Sequence, residues 1–339
     1  MSILKCDNSL VNINFVIDVR HGKVLSDKGS TGKERPWRLH KLENIRLVQL
    51  YKSARHRERL ISDARLFDLE HCADTLVFGV NEQNEQRLIR ANFCRVRLCP
   101  VCQWRRSLKL FSQVNRIAEE ILKREKIRFL FVTFTVKSCD AENLDALITA
   151  MNQGFKYLTS HQDCVAAKKF KQSFLGYIKA IEVTYNTQDK TYHPHVHCIF
   201  AVKSSYFRSD YMKMNEWRTL WQKVMKLDYT PQVDARIIKN GTAKAVAEVA
   251  KYPAKITPIL NLSSDEEAVE VLKTLTIKLR KRRFVSYGGI MRTVKQELKL
   301  KDIEKDVDLV NTEFEDKKAF NVLYEVMYKF NFRFGCYIS

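Results

Sequence analysis

Glycine and proline are scarce in this chain, ten and six among 339 residues. So few backbone breakers exclude collagen-like, linker-like and low-complexity architectures and point to an ordered globular protein. Its 45% hydrophobic residues suffice for the cores of two or three domains. No apolar run approaches the ~20 residues of a membrane span, and no charged-then-apolar leader opens the chain, so a cytoplasmic protein with no membrane partner is expected. Internal repeats are absent. Acidic residues are in deficit: 39 Asp and Glu stand against 59 Lys and Arg, a net charge of +20. That excess suits a polyanionic partner, nucleic acid before a membrane surface. In a cytoplasmic protein the nine cysteines do not read as a disulfide framework.

What is present begins with a basic module over 1–105 that ends in "CRVRLCPVCQWRR". Residues 107–125 place Leu110, Val114, Ile117 and Ile121 on one helical face. "RFLFVTFTV" (128–136) has the β-branched and aromatic density of a strand. Asp140 is the expected N-cap of a helix through 158 with Leu144, Leu147, Ile148, Met151, Phe155 and Leu158 as its stripe. Residues 174–185 and 192–202 read as strands joined by a polar loop, followed by a helix with Trp217, Trp221 and Met225, a short strand at "QVDARII" and a helix over 243–252. This order predicts an α+β fold with a largely antiparallel sheet. The expected divisions are a central domain over 106–257, a linker at 257–267 and a C-terminal α/β extension over 258–339 for DNA binding or oligomerisation.

The stretch "YHPHVHCIF" (192–200) carries the most chemistry. Alternation along a strand puts His193, His195 and His197 on one face and Val196, Cys198, Phe200 and Val202 on the other. The second set is apolar, so the histidine face is the open one. Two histidines at i and i+2 can share one ion about 2 Å from each ring nitrogen. His193 is the weaker member because Pro194 disturbs the ladder. Directly opposed residues share a face, so a hairpin that sets Glu182 opposite His195 adds a carboxylate ligand; a one-residue slip removes it. Cys94, Cys99 and Cys102, with Cys72 or His71 as fourth ligand, have the spacing of a structural Zn²⁺ site; small buried residues are the alternative. Cys139, Cys164 and Cys198 have no such partners. Arg95, Arg97, Arg105 and Arg106, with Trp104, suit DNA phosphates and base stacking, or else frame the zinc module. "GSTGKE" (29–34) lacks the spacing of a phosphate loop, which excludes ATP binding there.

In "AEVAKYPAK" (247–255), Glu248, Lys251, Tyr252 and Lys255 fall at helical spacing, with Pro253 ending or kinking the helix at Tyr252. On the residues alone the motif is weak: a surface aromatic beside lysines is the commoner reading, with Glu248 in an i, i+3 ion pair with Lys251.

Together, "FLFVTFTVK", "HPHVHCIF" and "ExxKY" resemble, in order, three motifs of rolling-circle plasmid replication initiators of the HUH endonuclease superfamily. "GKERPWR", the cysteine cluster, "MNQGFKYL" and "RRFVSYGG" extend the resemblance over most of the chain. It implies a central antiparallel ferredoxin- or RRM-like sheet flanked by helices, with zinc-containing N-terminal and C-terminal extensions. It implies His195 and His197 as ligands of a catalytic Mn²⁺ or Mg²⁺, with Glu182 added from the register argument. Tyr252 becomes the nucleophile that nicks one strand at the double-strand origin, leaving a 5′-phosphotyrosyl link and a free 3′-OH. Glu248 assists the terminating cleavage, and Lys251 and Lys255 stabilise the phenolate or bind adjacent phosphates. Plasmid origin DNA, a host helicase with the replication machinery, and a second copy of the chain are the implied partners. A mobilisation relaxase or HUH transposase shares the chemistry, and a non-catalytic zinc-dependent regulator is the alternative of another class. A hydrolase of small phosphates fits the net charge poorly.

Overall fold

The computed structural model describes residues 22–29, 32–55, 58–124, 126–160, 167–208, 210–238, 256–305, 308–312 and 320–339. The first half runs α1 (Trp37–Arg55), α2 (Asp63–Glu70), β1 (Thr75–Val80), β2 (Gln86–Ala91), α3 (Pro100–Arg124), β3 (Ile127–Thr135) and α4 (Leu144–Ser160). The second runs α5 (Lys168–Ser173), β4 (Phe174–Asn186), β5 (Thr191–Lys203), α6 (Met214–Met225), β6 (Val233–Ile237), α7 (Thr257–Leu260), α8 (Asp265–Lys278), β7 (Val285–Gly289), α9 (Ile290–Glu297), β8 (Tyr324–Asn331) and β9 (Cys336–Ile338). The expected α+β class holds. Among the described residues there are two sheets, β2-β1-β8-β9 and β6-β3-β5-β4-β7, with every pairing antiparallel.

The second sheet is buried on both faces, as its strand sequences require. On one face Phe134, Val196, Cys198, Phe200 and Val202 pack under α4 and α6, where Trp221 sits 4.6 Å from Phe134 and Trp217 stacks on Phe200 at 5.9 Å. On the other, Phe129, Phe131, Ile178, Ile199 and Ala201 meet the predicted stripe of α3, Leu110, Val114, Ile117 and Ile121, together with Met291 and Val294 of α9. Pro100 opens α3 several residues earlier than the stripe alone suggested, since a first-turn proline forfeits no intrahelical bond. The resulting 25-residue helix is about 37 Å long. Its first turns bury Val101, Cys102, Arg105 and Arg106 in the N-terminal module, and its last turns lie on the large sheet.

Three expectations change. The linker at 257–267 is instead α7 and the capped start of α8, and it buries Ile259 and Leu260. Asp140 caps a turn through the amide of Asn143, and the helix starts at Leu144. The strands also cross the expected boundaries: β7 pairs with β4, and β8, from near the C-terminal end, pairs with β1 of the N-terminal module. The expected helix over 243–252 lies outside the described residues.

Where β7 passes into α9 the chain needs glycine. Gly289 has φ +55° and ψ −142°, a region that only glycine adopts without strain, and an added Cβ would lie 2.1 Å from the Leu175 carbonyl oxygen. Gly289→Ala is therefore expected to lower the stability of the protein by about 3 kcal/mol, the upper end of such strain, because backbone faces the new methyl. Urea unfolding followed by circular dichroism measures this; an unchanged midpoint contradicts it.

Candidate functional site

Two clusters of metal-ligating side chains emerge. The first lies on the β4–β5 hairpin, and its register is the one that retains the carboxylate: Glu182 is opposite His195, Ala180 opposite His197, and Thr184 opposite His193. On the other side β3 sets Thr135 opposite His195 and Thr133 opposite His197. The three imidazoles form a row, with ring centroids 4.2 Å apart for His193 and His195 and 5.8 Å for His195 and His197, the latter rings nearly parallel at 15°.

The face is less open than the alternation suggested. Glu182 is 3% exposed and His197 8%, and Phe131 stacks on the His197 ring at 6.0 Å. His197 is held at both nitrogens: Nε2 lies 3.0 Å from Glu182 Oε2 and Nδ1 lies 3.1 Å from Thr133 Oγ1. A hydroxyl donates as readily as it accepts, so Thr133 serves either tautomer of His197. When Nδ1–H donates to Thr133, Nε2 keeps its lone pair, as a ligand must. Adjacent ligands of an octahedral ion with bonds of about 2.1 Å stand about 3 Å apart, which is the His197–Glu182 spacing. His197 and Glu182 thus have the spacing of two ligands of one divalent ion. His195 does not yet converge: among the described residues only the four cysteines bring three or more ligand atoms within 4.8 Å of one another. Thr133 was missed by sequence reading, although the alternation of "FVTFTV" places it with Thr135 on one face.

The second cluster joins Cys72, after α2, Cys94, after β2, and Cys99 and Cys102 at the start of α3. All four thiols are free and buried. The Cys72–Cys102, Cys72–Cys99 and Cys94–Cys102 sulfurs are 3.6, 3.6 and 3.7 Å apart. A tetrahedral ion with sulfur bonds of about 2.3 Å separates its ligands by about 3.8 Å, so the four can hold a metal ion with little movement. Backbone amides of Cys94, Arg95 and Val96 donate to the sulfurs of Cys72, Cys102 and Cys94, and the Asn44 amide donates to Cys99. Such donors stabilise thiolates. Burial raises Cys72 and Cys94 well above the ordinary thiol range. Burial opposes ionisation of Cys102 too, but hydrogen bonds from the other three thiols and the nearby Arg106 charge outweigh it and hold Cys102 well below that range. His71 is not the fourth member; its exposed ring pairs with Asp74 at 2.9 Å.

The arginines divide. Arg105 and Arg106, expected on DNA, are 3% and 5% exposed. Arg105 donates to the Leu309 and Val310 carbonyls and packs over Trp37 and Trp104, while Arg106 donates to the Arg95 carbonyl. Both side chains are buried beside the cysteine module, away from where a DNA phosphate could reach them. Arg97 donates to the Arg282 carbonyl and lies over Phe284, and Arg95 has an exposed side chain. Glu248, Lys251, Tyr252 and Lys255 lie outside the described residues, as does Cys164.

Comparison with known proteins adds the family. Residues 85–338 match the model of a family described as replication protein. The chain is 38% identical over 297 residues to "Protein rep" of Streptococcus pneumoniae serotype 2, covering 86% of this chain and 88% of that protein. It is 36% identical over 324 residues to "Protein rep" of Bacillus amyloliquefaciens, covering 90% and 94%. A third, "Protein rep" of Lactiplantibacillus plantarum, is 36% identical over 323 residues, covering 91% and 97%. No solved structure matches significantly. No helix among the described residues is long and apolar enough to cross a membrane. With three quarters of its length in the family match and relatives aligned nearly end to end, this chain belongs to the replication protein family, the Rep initiators of plasmid replication.

Proposed function

We propose that this Rep protein is an HUH endonuclease that nicks one strand of plasmid origin DNA for rolling-circle replication. The observation that carries the reading is the β4–β5 register, which puts Glu182 opposite His195 and against His197 on one sheet face. His195, His197 and Glu182 would hold Mn²⁺ or Mg²⁺. When bound there, the ion supplies charge neutralisation to a scissile phosphate, a poor electrophile shielded by its own negative charge.

Tyr252 is the proposed nucleophile. Its phenolate oxygen attacks phosphorus in line, the bond from phosphorus to the 3′-oxygen breaks, and that oxygen leaves as the 3′-OH after taking a proton. The 5′-phosphate stays on Tyr252. A phenol with an ordinary pKa of about 10 needs nearby positive charge to ionise near neutrality, a role for which Lys251 and Lys255, one and three positions along the sequence, are the candidates. Glu248, as a general base on water, ends the cycle by hydrolysis where a second tyrosine would otherwise transfer the strand. Support comes from the family, from the net charge of +20 and from a donor set of nitrogen and oxygen that suits phosphoryl chemistry. We assign Zn²⁺ to the cysteine cluster, where it would tie α2, β2 and α3 together.

Incubation of the protein with a labelled single strand of its plasmid origin and Mn²⁺ is expected to give a denaturation-resistant protein–DNA adduct. Tyr252→Phe should abolish the adduct, and so should omission of the ion. Cleavage by Tyr252→Phe at the wild-type rate refutes the nucleophile assignment. For the cysteine cluster, mass spectrometry under native conditions should find one zinc per chain in the wild type and none in Cys102→Ser, with a lower melting temperature in the variant. A zinc-free wild type that melts cooperatively at the same temperature as the variant contradicts a structural metal.

A further inference from the structure

The stretch "RRFVSYGG" (282–289) has no part in the chemistry above, yet it borders a cavity. Arg283, Ser286 and Tyr287, with Arg292, Lys295 and Gln296 of α9, line a space of about 410 Å³ at the β7 edge of the large sheet. That volume accepts a nucleotide-sized group. Three of the six lining side chains are cations. Arg283 is matched by Asp302, and its Nε donates to the Val285 carbonyl; Glu304 accepts the amides of Phe284 and Val285. Arg292 and Lys295 make no ion pair among the described residues. Arg292 Nε donates to the Tyr287 carbonyl, and Lys295 donates to the Leu300 carbonyl while its ammonium lies 5.3 Å from the centre of the Tyr287 ring.

Tyr287 gives the cavity its direction. It is 7% exposed, and its buried hydroxyl has no hydrogen-bond partner among the described residues. Burial holds the phenol well above its usual pKa, so it remains a proton donor at any physiological pH. A buried donor without an acceptor is costly, and an anionic oxygen would relieve it. Burial also lowers Lys295, with Asp302 acting against and Arg283 with that shift; an added negative charge would stabilise the ammonium.

Register ties the cavity to the histidines. Tyr287 is opposite Ile178, which is opposite Ile199, the next residue after His197 on the same face. With strands ~4.8 Å apart and a rise of ~3.3 Å per residue, Tyr287 lies roughly 12 Å from His197, and the intervening Ile178 and Ile199 are buried under α3 and α9. We propose that this cavity is a phosphate subsite of the nicking site, in which Arg292, Lys295 and Tyr287 hold one backbone phosphodiester of the DNA whose scissile phosphate lies at the histidines. The assignment rests on the nicking reading above; the chemistry recognised is a phosphate, which a free nucleotide also carries.

Binding of a fluorescein-labelled oligothymidylate, without added Mn²⁺, separates the cases, since phosphate contacts are independent of sequence. Tyr287→Phe is expected to weaken binding about fivefold, one hydrogen bond's worth, without lowering the melting temperature. Arg292→Gln with Lys295→Gln should weaken it further and reduce the slope of log K against log salt by about 0.7, the loss of one phosphate contact. Wild-type affinity and slope in both variants would overturn the subsite. So would a free deoxynucleoside triphosphate that raises the melting temperature of the wild type but of neither variant while oligonucleotide binding is unaffected, for the cavity would then be a nucleotide pocket. Normal Tyr252 adducts alongside unaffected variant binding would refute the subsite alone; weakened variant binding with no adduct in the wild type would support the subsite and refute nicking.

Discussion

The pairing of β4 with β5 decides which side chains meet, and the proposed chemistry depends on it. A slip by one residue would turn Glu182 toward the core and bring a neighbour to the imidazoles instead. Two features oppose the slip. The connecting turn is closed by the Asn186 side chain, which accepts the amides of Gln188 and Asp189, with Lys190 at φ +53°. On the far face Val196, Phe200 and Val202 are fully buried, and their exposure would forfeit roughly 1.5–3 kcal/mol each. The apolar face thus sets the register, and the register sets the polar face.

A buried carboxylate beside a buried imidazole is a poor device for stability alone, because desolvation offsets most of the attraction. Glu182 and His197 are both nearly inaccessible, and Thr133 fixes the remaining ring nitrogen. Such a set fits the ligand role proposed for the two residues. The cysteine cluster is coupled to the same sheet through α3, whose first turn carries Cys102 and whose later turns pack on Phe129 and Phe131. The C-terminal strands close the N-terminal module in turn, with the Tyr337 hydroxyl donating to the Ala73 carbonyl next to Cys72. A metal on the cysteines would therefore stiffen the support of the β4–β5 hairpin as well as its own module.

Much of this was legible in the sequence. Strict alternation in 192–202 and the odd carboxylate at Glu182 gave the strand faces and, with the hairpin, the register. The cysteine spacing identified the cluster, and the structure chose Cys72 over His71. What the sequence left out is long-range: nothing in "YEVMYKF" indicates that β8 pairs with β1, because strand partners far apart in the chain leave no local pattern. The burial of Arg105 and Arg106 was equally hidden, since an arginine inside a basic cluster looks the same whether it meets phosphate or a carbonyl. The apparent linker at 257–267 misled because its Ser and Asp residues are helix-capping chemistry, with Ser264 accepting the Glu267 amide at the start of α8.

The most direct test is to locate the ion. Crystals grown with Mn²⁺ and measured at the manganese absorption edge should show an anomalous peak within about 2.2 Å of ligand atoms of His195, His197 and Glu182. Glu182 should then have exchanged its hydrogen bond to His197 for the ion. A peak bound only at other residues, with the Glu182–His197 contact intact at full manganese occupancy, would contradict the account.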